Sequence, residues 1–337
     1  MKVLYAAVMY DYNDKKRGLG LDFYSTYPAL KSMKDIETIL FDCSDFKDMQ
    51  IQEKNNANLI RLVEEERPDI LFHSAFTDQI KKETYRYLKE NTKTTTLNWF
   101  SDDAWRFDVF TKEMCWYFDY SITADKDSVR KYNLIGYKNV ILSQFAATPE
   151  TYPKLDLSHI YDVSFVGQPH GDRRETIKRI RDEKINISTF GYGWKEVGFK
   201  KRWNKRFKNF PILQFDKGKI SHEEMVRVFN QSKINLNLAA SSVENSLDQI
   251  KARNFEVPCC GGFLLTKRVP HLGDYYEIDK EIACYENVDD MIEKIKYYLT
   301  HEDERKTIAK AGYERTIRDH TYQRRFRDIF GQIKLKK

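Results

Sequence analysis

The fold is indicated most directly by the stretch RNFEVPCCGGFLLT, which spans Arg253–Thr266. Its first half is compatible with a short helix that ends at Pro258, because proline interrupts helical hydrogen bonding. The pair Gly261-Gly262 follows, and the segment then becomes apolar. A helix, a glycine turn and a buried strand in this order predict one step of a sheet flanked by helices.

The same stretch carries polar groups that suit a nucleotide-sugar. Glu256 can accept two hydrogen bonds from a ribose diol, and Arg253 offers a planar fork of donors to a diphosphate. Gly261 and Gly262 let the main chain approach a ligand where a Cβ atom would collide. The alternative is structural: a helix that stops at Pro258 and glycines that turn into a core strand. Local chemistry leaves both interpretations open.

Upstream of this stretch, strands alternate with helices, as in parallel sheets flanked by helices. Helices are predicted at about Phe23–Lys34 and Lys126–Tyr132. The predicted strands of the first half are Val3–Met9, Glu37–Phe41, Ile70–His73, Thr94–Trp99, Tyr120–Ala124 and Asn139–Ser143. This half is expected to form one doubly wound domain over residues 1–150.

A proline-bearing polar stretch at about 145–160 is predicted to link this domain to a second one over residues 151–318. Asp172 is placed to cap a helix there, and further helices are predicted at Glu223–Asn230 and Val288–Leu299. The predicted strands are Tyr161–Gly167, Ile185–Phe190, Ile212–Phe215, Ile234–Leu238, Gly262–Leu265 and Lys280–Tyr285. Two such units predict a cleft between the carboxyl ends of their strands, where open sheets bind ligands.

The Arg253–Gly262 run resembles the R-x-F-E-x-x-x-x-G-G block of CgeB-like glycosyltransferases, a branch of the group-1 enzymes. In that wider group the carboxylate at Glu256 is the second of an E-x7-E pair, and the first falls here on Asp248, which is one methylene shorter. The resemblance implies the α/β GT-B fold, in which two doubly wound Rossmann-like domains face each other across a cleft. A final helix, expected over residues 319–337, crosses back to the first domain.

The helical pattern of this last segment runs from Glu302 to about Leu335, and it has an apolar face with 3-4 spacing. Phe326, Ile329, Phe330 and Ile333 form that face. The arginines around it are interpreted as a solvated surface. The alternative, a patch that binds nucleic acid, is less favoured because acidic residues interrupt the run.

The resemblance further implies that the second domain binds a nucleoside diphosphate sugar. The loop GQPHGDRR (Gly167–Arg174) joins a strand to a helix N-terminus, where main-chain N–H groups, the helix dipole and arginines suit a diphosphate. Its candidate donor-binding residues are Gly167, His170, Arg173 and Arg174. Tyr192, in the following FGYGW loop, either stacks on the nucleotide base or covers a domain edge together with Trp194.

Candidate catalytic carboxylates and one histidine lie at strand ends of the first domain. The W-x-x-D-D stretch that starts at Trp99 resembles a segment of CgeB-like proteins. If the reaction inverts the anomeric carbon, the acceptor needs a general base, for which the candidates are Asp11, His73, Asp102 and Asp103. If it retains configuration, no base is required and stabilisation of the leaving phosphate dominates. His73 has a second interpretation, as a packed or capping residue.

No metal and no cofactor beyond the sugar-nucleotide co-substrate are predicted. Asp102 and Asp103 are adjacent, whereas the metal-binding D-x-D motif of another glycosyltransferase class separates its carboxylates by one residue. The five cysteines are an odd count without metal-type spacing, and adjacent Cys259 and Cys260 are expected to be packing residues.

Composition and the N-terminal sequence limit the possible ligands and the expected location of the protein only broadly. The 337 residues carry 57 basic and 51 acidic side chains, a net charge of +6, which suits an anionic small donor and is also compatible with nucleic acid. The first ten residues resemble a strand, and the absence of a signal-peptide pattern predicts a cytoplasmic protein with at most peripheral membrane contact.

The expected activity is hexosyl or pentosyl transfer to an unidentified acceptor: a glycan, a lipid-linked molecule or a protein. Two alternatives stay open. One is a glycosyltransferase that acts on modified bases in DNA, and the other is a non-catalytic nucleotide- or sugar-binding module.

Overall fold

The computed structural model of the protein describes residues 1–194, 216–239 and 248–336. It divides the chain into two compact units. Unit 1 comprises Met1–Thr151 and Thr321–Lys337, and unit 2 comprises Tyr152–His320. The division at residue 151 falls beside the predicted boundary at 150. The predicted strand Ile212–Phe215 lies outside the described residues.

Unit 1 contains a six-stranded parallel sheet in the order β2-β1-β3-β4-β5-β6. Its strands are β1 Lys2–Ala7, β2 Glu37–Asp42, β3 Ile70–His73, β4 Thr95–Phe100, β5 Tyr120–Thr123 and β6 Val140–Leu142. Successive side chains of a strand point to opposite faces. Val3 and Tyr5 accordingly join one apolar core, while Leu4 and Ala6 join another on the other face of the sheet.

Unit 2 contains a second six-stranded parallel sheet in the order β12-β11-β10-β7-β8-β9. Its strands are β7 Tyr161–Val166, β8 Ile187–Phe190, β9 Asp216–Gly218, β10 Ser232–Asn237, β11 Leu264–Lys267 and β12 Ala283–Tyr285. The strand order reverses direction at β7, because the chain runs outward from this strand to β8 on one side and to β10 on the other. Such switch points are where parallel sheets form ligand sites.

Helices connect the strands of both sheets, as the alternating sequence pattern predicts. Those of unit 1 are α1 Leu21–Tyr24, α2 Thr26–Ser32, α3 Met49–Glu66, α4 Lys82–Asn91, α5 Asp103–Arg106, α6 Lys112–Met114 and α7 Ser128–Leu134. Those of unit 2 are α8 Arg173–Asp182, α9 His222–Gln231, α10 Arg253–Cys259, α11 Val288–Thr300 and α12 Glu302–Asp319. None of the helices described here has the length and apolar composition to cross a membrane.

Two predicted helices differ from the observed ones. The single helix expected at Phe23–Lys34 is two short helices that meet at Ser25. Pro28 explains the break, since it has no N–H to donate to the carbonyl four residues earlier. The long C-terminal helix is also divided, and the last helix, α13, covers Tyr322–Gln332.

Helix α13 begins where the side chain of Thr321 accepts a hydrogen bond from the Arg324 N–H. Its apolar face packs on the sheet of unit 1, because Phe326 and Ile329 are buried in the same core as β1 and β3. The Phe326 ring meets Phe72 edge-to-face with centroids 5.7 Å apart. The chain therefore returns to unit 1 after completing unit 2, and the predicted packing of residues 326 and 329 is confirmed.

We expect Phe326→Ala to destabilise unit 1, because removal of a buried ring loses its packing and leaves a cavity. The cost for such substitutions is about 3–5 kcal/mol, and urea unfolding followed by circular dichroism measures it. Arg327→Ala is the matched control, since Arg327 is exposed on the same helix and surface substitutions change stability by about 0.5 kcal/mol or less. Equal effects of the two variants would contradict the packing of α13.

Candidate functional site

The centre of the unit 2 site is α10, the helix at the start of the R-x-F-E stretch. Asn254 fixes its first turn: the side-chain oxygen accepts the Lys251 N–H at 2.9 Å, and the amide nitrogen donates to Thr266 Oγ1 on β11 at 3.1 Å. Asn237, at the end of β10, donates to the same hydroxyl at 3.0 Å. This buried polar network ties the helix to the carboxyl ends of two strands.

Glu256 lies inside the protein, with 1% of its surface exposed. The Tyr152 hydroxyl donates to one carboxylate oxygen at 2.7 Å, and the Arg253 guanidinium forms an ion pair with the other. A buried carboxylate is tolerated only with partners of this kind. Sequence reasoning missed Tyr152, which falls in the predicted linker, 104 residues before Glu256.

Arg253 is the more exposed member of this pair, with 23% of its side chain accessible against 2% for Glu256. Its guanidinium also lies over the Phe229 ring, 5.0 Å from the centroid. The arginine therefore presents the reachable polar surface, whereas the carboxylate of Glu256 faces the protein in this conformation.

Arg173 is the first residue of α8. Its pKa is lowered chiefly by burial; Tyr285 and Asp172 raise it, and the positive charge of Arg253 lowers it. Arg173 donates to the main-chain oxygens of Gln168 at 2.9 Å and Leu238 at 3.0 Å, so it ties the loop after β7 to the end of β10. Arg173 contributes positive potential that favours an anionic ligand, whereas the charge of Arg253 is offset by Glu256 while the two are paired.

The two glycine loops after β7 and β8 are joined to each other. The Gly167 N–H donates to Phe190 at 2.8 Å, and the Trp194 indole donates to the Gly167 oxygen at 2.6 Å. Gly191 has a φ of +143°, and a Cβ there would lie 2.3 Å from that same oxygen. Glycine is required at this position by contact with the neighbouring loop.

The remaining residues of these loops differ in exposure. Tyr192 is 59% exposed and Trp194 is buried, so Trp194 is the one that packs against the domain. Arg174 donates to the Gly193 oxygen, and the partly exposed His170 accepts the Arg173 N–H through its main-chain oxygen at 3.2 Å. Asp172 precedes α8 as predicted, but its side chain makes no capping hydrogen bond.

Asp248, the position of the first carboxylate of the pair, is exposed. The pKa of the Tyr285 hydroxyl is raised first by burial and then by the negative charge of Asp248. The Tyr285 hydroxyl donates to the Asn237 oxygen at 3.0 Å. Asp248 thus belongs to the same edge of the sheet as Asn237.

The glycine pair meets the protein's own atoms. A Cβ on Gly262 would lie 2.8 Å from the Asn235 amide nitrogen and 2.9 Å from the Phe229 oxygen. Gly261 has a φ of +72°, and the Lys154 side chain crosses it. Of the two interpretations of this pair, the observed contacts favour the structural one, in which Gly262 lets the turn between α10 and β11 pack closely against α9 and β10.

In unit 1, Asp102 is the candidate base with accessible surface at a cleft. It is partly exposed, it accepts the Trp105 indole N–H at 3.3 Å, and it lines a small cleft with Ser74, Ser101 and Arg106. The Arg106 guanidinium lies 4.0 Å from the Phe76 ring centroid. A π-helical turn, Phe107–Thr111, follows, a feature that often accompanies functional sites.

Asp103 and His73 are enclosed in this conformation, so neither presents accessible surface to an acceptor. The carboxylate of Asp103 accepts hydrogen bonds from Thr111 at 2.6 Å and Tyr132 at 2.8 Å. Both ring nitrogens of His73 contact protein groups, the Tyr85 hydroxyl at 2.5 Å and the Cys43 sulfur at 3.7 Å. Burial lowers the pKa of His73 to about 3, so the ring is neutral and its packing interpretation is favoured.

Asp11 has a different partner. Its carboxylate accepts the Arg17 Nε–H at 2.8 Å, and its N–H donates to the Gly18 oxygen at 3.0 Å. Both bonds lie within the turn after β1. The structure therefore brings Asp102 and Asp103 together but places Asp11 in a separate loop.

Comparisons with known proteins agree with this architecture. Residues 173–331 match the family described as glycosyl transferase-like. Over 234 residues the chain is 20% identical to the spore protein CgeB of Bacillus subtilis strain 168. The alignment covers 66% of this chain and 70% of that protein.

Two solved structures show the fold. The Anabaena protein HepE in complex with UDP and glucose has a TM-score of 0.67 at 9% identity, covering 99% of this chain and 100% of that one. An alpha-glucosyltransferase in complex with UDP-glucose and DNA containing an abasic site has a TM-score of 0.65 at 12% identity, covering 98% of each chain.

The chain resembles the spore protein CgeB and has the GT-B fold. The family resemblance predicted from Arg253–Gly262 is confirmed, and so is the fold class, with its two parallel sheets flanked by helices. Among the described residues of this CgeB-like protein, no three His, Cys, Asp or Glu side chains cluster as a metal site would require.

Asp103→Asn tests the structural role of this buried carboxyl group in the CgeB-like protein. Burial raises the pKa of Asp103 to about 6, partly offset by hydroxyl donors. The folded state therefore binds this proton more tightly than the unfolded chain, whose aspartate pKa is near 4. Ionisation of Asp103 lowers the free energy of unfolding. This loss is absent below about pH 4, grows between pH 4 and 6, and reaches about 3 kcal/mol above pH 6.

The asparagine variant should therefore gain stability relative to the parent as pH rises from 4 to 6, because it carries no charge. Its amide oxygen can accept from one hydroxyl, and its NH2 can donate to the oxygen of the other. Urea unfolding at pH 4, 5, 6 and 8 measures the difference. Asp108→Asn is the control, since Asp108 is exposed on the same segment. Parallel pH profiles of the parent and Asp103→Asn would exclude a raised pKa at this position.

Proposed function

We propose that the protein transfers a sugar from a nucleoside diphosphate sugar, bound by unit 2, to an acceptor hydroxyl bound by unit 1. The observation that carries this proposal is the Arg253–Glu256 pair, which places a reachable guanidinium directly on a buried carboxylate. The pair lies at the carboxyl edge of a parallel sheet, where nucleotides bind in such folds. Relatives of the same fold were solved with UDP or UDP-glucose.

Donor binding is proposed to exchange the partners of this ion pair. Arg253 turns from Glu256 to the diphosphate, to which a guanidinium can donate two parallel hydrogen bonds. The carboxylate then needs new donors, and the two hydroxyls of the ribose supply them. Tyr152 keeps its hydrogen bond to Glu256 and holds the carboxylate in position throughout.

The loop Gly167–Arg174 is proposed to bind the same diphosphate. It leads into the ten-residue helix α8, whose first N–H groups and dipole favour an anion. Arg173 acts here as a positioning residue, because its bonds to Gln168 and Leu238 fix the loop. Exposed Tyr192 is available to stack on the base.

The reaction breaks the bond between the anomeric carbon and the diphosphate oxygen, and the diphosphate leaves with the electron pair. The acceptor oxygen forms the new bond to that carbon and loses its proton. Stabilisation of the leaving charge by Arg253 and the α8 N-terminus lowers the barrier. In an inverting reaction, Asp102 is proposed as the base, because it has exposed surface where Asp103 and His73 have none.

A thermal-shift panel of UDP, GDP, TDP, CDP and ADP tests the donor site. One nucleotide should raise the melting temperature of the parent, since a ligand at 100 times its dissociation constant stabilises the native state by about 2.7 kcal/mol. Arg253→Ala should abolish the shift. Arg179→Ala is the matched control. Arg179 lies in the last turn of α8, away from the N-terminus proposed to bind the diphosphate, and pairs with Asp289. Loss of the shift in the control, or its persistence in Arg253→Ala, would exclude this site.

Glu256→Gln tests the role of the carboxylate with little change in volume. Loss of charged hydrogen bonds to the ribose costs about 1.5–3 kcal/mol, so transfer should fall by about 10- to 100-fold. The measurement is release of the nucleoside diphosphate from a matched nucleotide-sugar in the presence of acceptor. Turnover close to that of the parent would refute the assignment. Tyr152→Phe, which removes only the supporting hydroxyl, should have a smaller effect.

A further inference from the structure

A groove on unit 1 has no part in the proposed reaction. It has a volume of about 350 Å³ and is lined by Arg86, Lys89, Glu90, Glu113, Trp116 and Tyr117. This volume lies within the range of small-molecule sites, about 300–1,000 Å³. Helix α4 supplies one wall, and the 3-10 turn Cys115–Tyr117 supplies the other.

The groove lies at the opposite edge of the sheet from the strand ends that carry the candidate bases. Trp116 and Tyr117 come just before β5, which starts at Tyr120, so they are at the amino end of that strand. Asp102 and Ser74, by contrast, follow the carboxyl ends of β4 and β3. A ligand in this groove therefore occupies a site separate from the Asp102 cleft.

An aromatic platform forms the most unusual part of the groove. The Trp116 side chain is 50% exposed, although its apolar ring would gain from burial. It is held in place by an edge-to-face contact with Tyr137, with centroids 5.4 Å apart. Lys89 fixes the main chain beneath it, since its ammonium donates to the oxygens of Trp116 and Phe118 at 2.8 Å each.

Polar groups surround this platform, and their charges cancel. Arg86 lies 5.4 Å from the Tyr117 ring centroid, and Glu113 pairs with Lys82 at the rim. Two cations and two carboxylates line the groove, so neither a phosphate nor a cationic ligand is favoured electrostatically. The site combines a flat apolar surface with both donors and acceptors around it.

From this combination we infer that the groove binds a neutral saccharide, whose pyranose ring stacks on Trp116 and whose hydroxyls bond to Arg86, Glu90 and Glu113. A pyranose has an apolar C–H face that matches an indole ring and a rim of hydroxyls that need both donors and acceptors. The site is a second carbohydrate contact that retains a glycan on unit 1. It does not depend on the proposed transfer, because its test measures binding.

The test is an array of immobilised neutral oligosaccharides probed with the full chain in the absence of any nucleotide, followed by titration of the best binder in solution by isothermal titration calorimetry. Trp116→Ala should weaken binding by about tenfold or more, since an aromatic contact of about 1.4 kcal/mol corresponds to that factor. Arg86→Ala should also weaken it. Tyr87→Ala should bind as the parent does, because Tyr87 is exposed on α4 but does not line the groove.

Each contrary outcome overturns the inference. Absence of binding to every neutral glycan excludes a saccharide site, and parent-like affinity of both Trp116→Ala and Arg86→Ala excludes this groove. Loss of affinity in Asp102→Asn with affinity kept in Trp116→Ala and Arg86→Ala places the saccharide in the Asp102 cleft instead. Thermal unfolding of Trp116→Ala checks its fold, and Arg86→Ala decides the matter if that variant is unfolded.

Discussion

Both faces of a parallel sheet have to be covered, because its crossover helices place apolar strands between two layers. In each unit this requirement fixes most of the architecture. Val3 and Leu4 contribute to opposite cores of unit 1, and α13 has to return from the end of the chain to complete one of them. The charged candidate residues accordingly lie next to strand ends, although several uncharged polar side chains, such as Asn98 and Asn235, are buried within strands. The candidate bases of unit 1 lie at or just after the carboxyl ends of its strands. The arginine-carboxylate pair of unit 2 lies on α10, between β10 and β11.

Within unit 2 the buried carboxylate of Glu256 imposes the next constraint. Removal of a carboxylate from water costs several kcal/mol in real proteins, and only good partners repay it. Tyr152 and Arg253 are those partners. Tyr152 comes from the segment that enters the unit, and Arg253 from the preceding turn of the same helix. Glu256 therefore links α10 to the start of unit 2.

The alternating pattern of apolar strands and helices was sufficient to predict two doubly wound units, because parallel βα repeats have strong local signals. The GT-B fold was implied by the resemblance of the Arg253–Gly262 run to CgeB-like glycosyltransferases. Most predicted strands match observed ones to within a few residues, whereas the break at Ser25 shows how one proline overrides helical periodicity. The residues of the α10 stretch were also identifiable, since a carboxylate, an arginine and glycines at fixed spacing are visible in the sequence.

Burial and long-range partners were not predictable in this way. Asp102 and Asp103 are adjacent in sequence, yet one is partly exposed and the other is enclosed by Thr111 and Tyr132. Tyr152 reaches Glu256 only through the tertiary fold. The pair Gly261-Gly262 has a sequence that suits a ligand site, but its close contacts are to Lys154 and Asn235. In each case the deciding neighbour lies on another element.

The proposed exchange of partners has a consequence for specificity. A simple phosphate or diphosphate could attract Arg253, but it would leave the buried Glu256 carboxylate without a cation and without replacement donors beyond Tyr152. That cost opposes binding. A nucleoside diphosphate supplies an anion for Arg253 and a ribose diol for Glu256 in the same molecule, so both groups stay satisfied. Under this proposal the ion pair couples recognition of the diphosphate to recognition of the ribose. The coupling requires that solvent cannot reach the two carboxylate oxygens, and only 1% of the Glu256 surface is exposed.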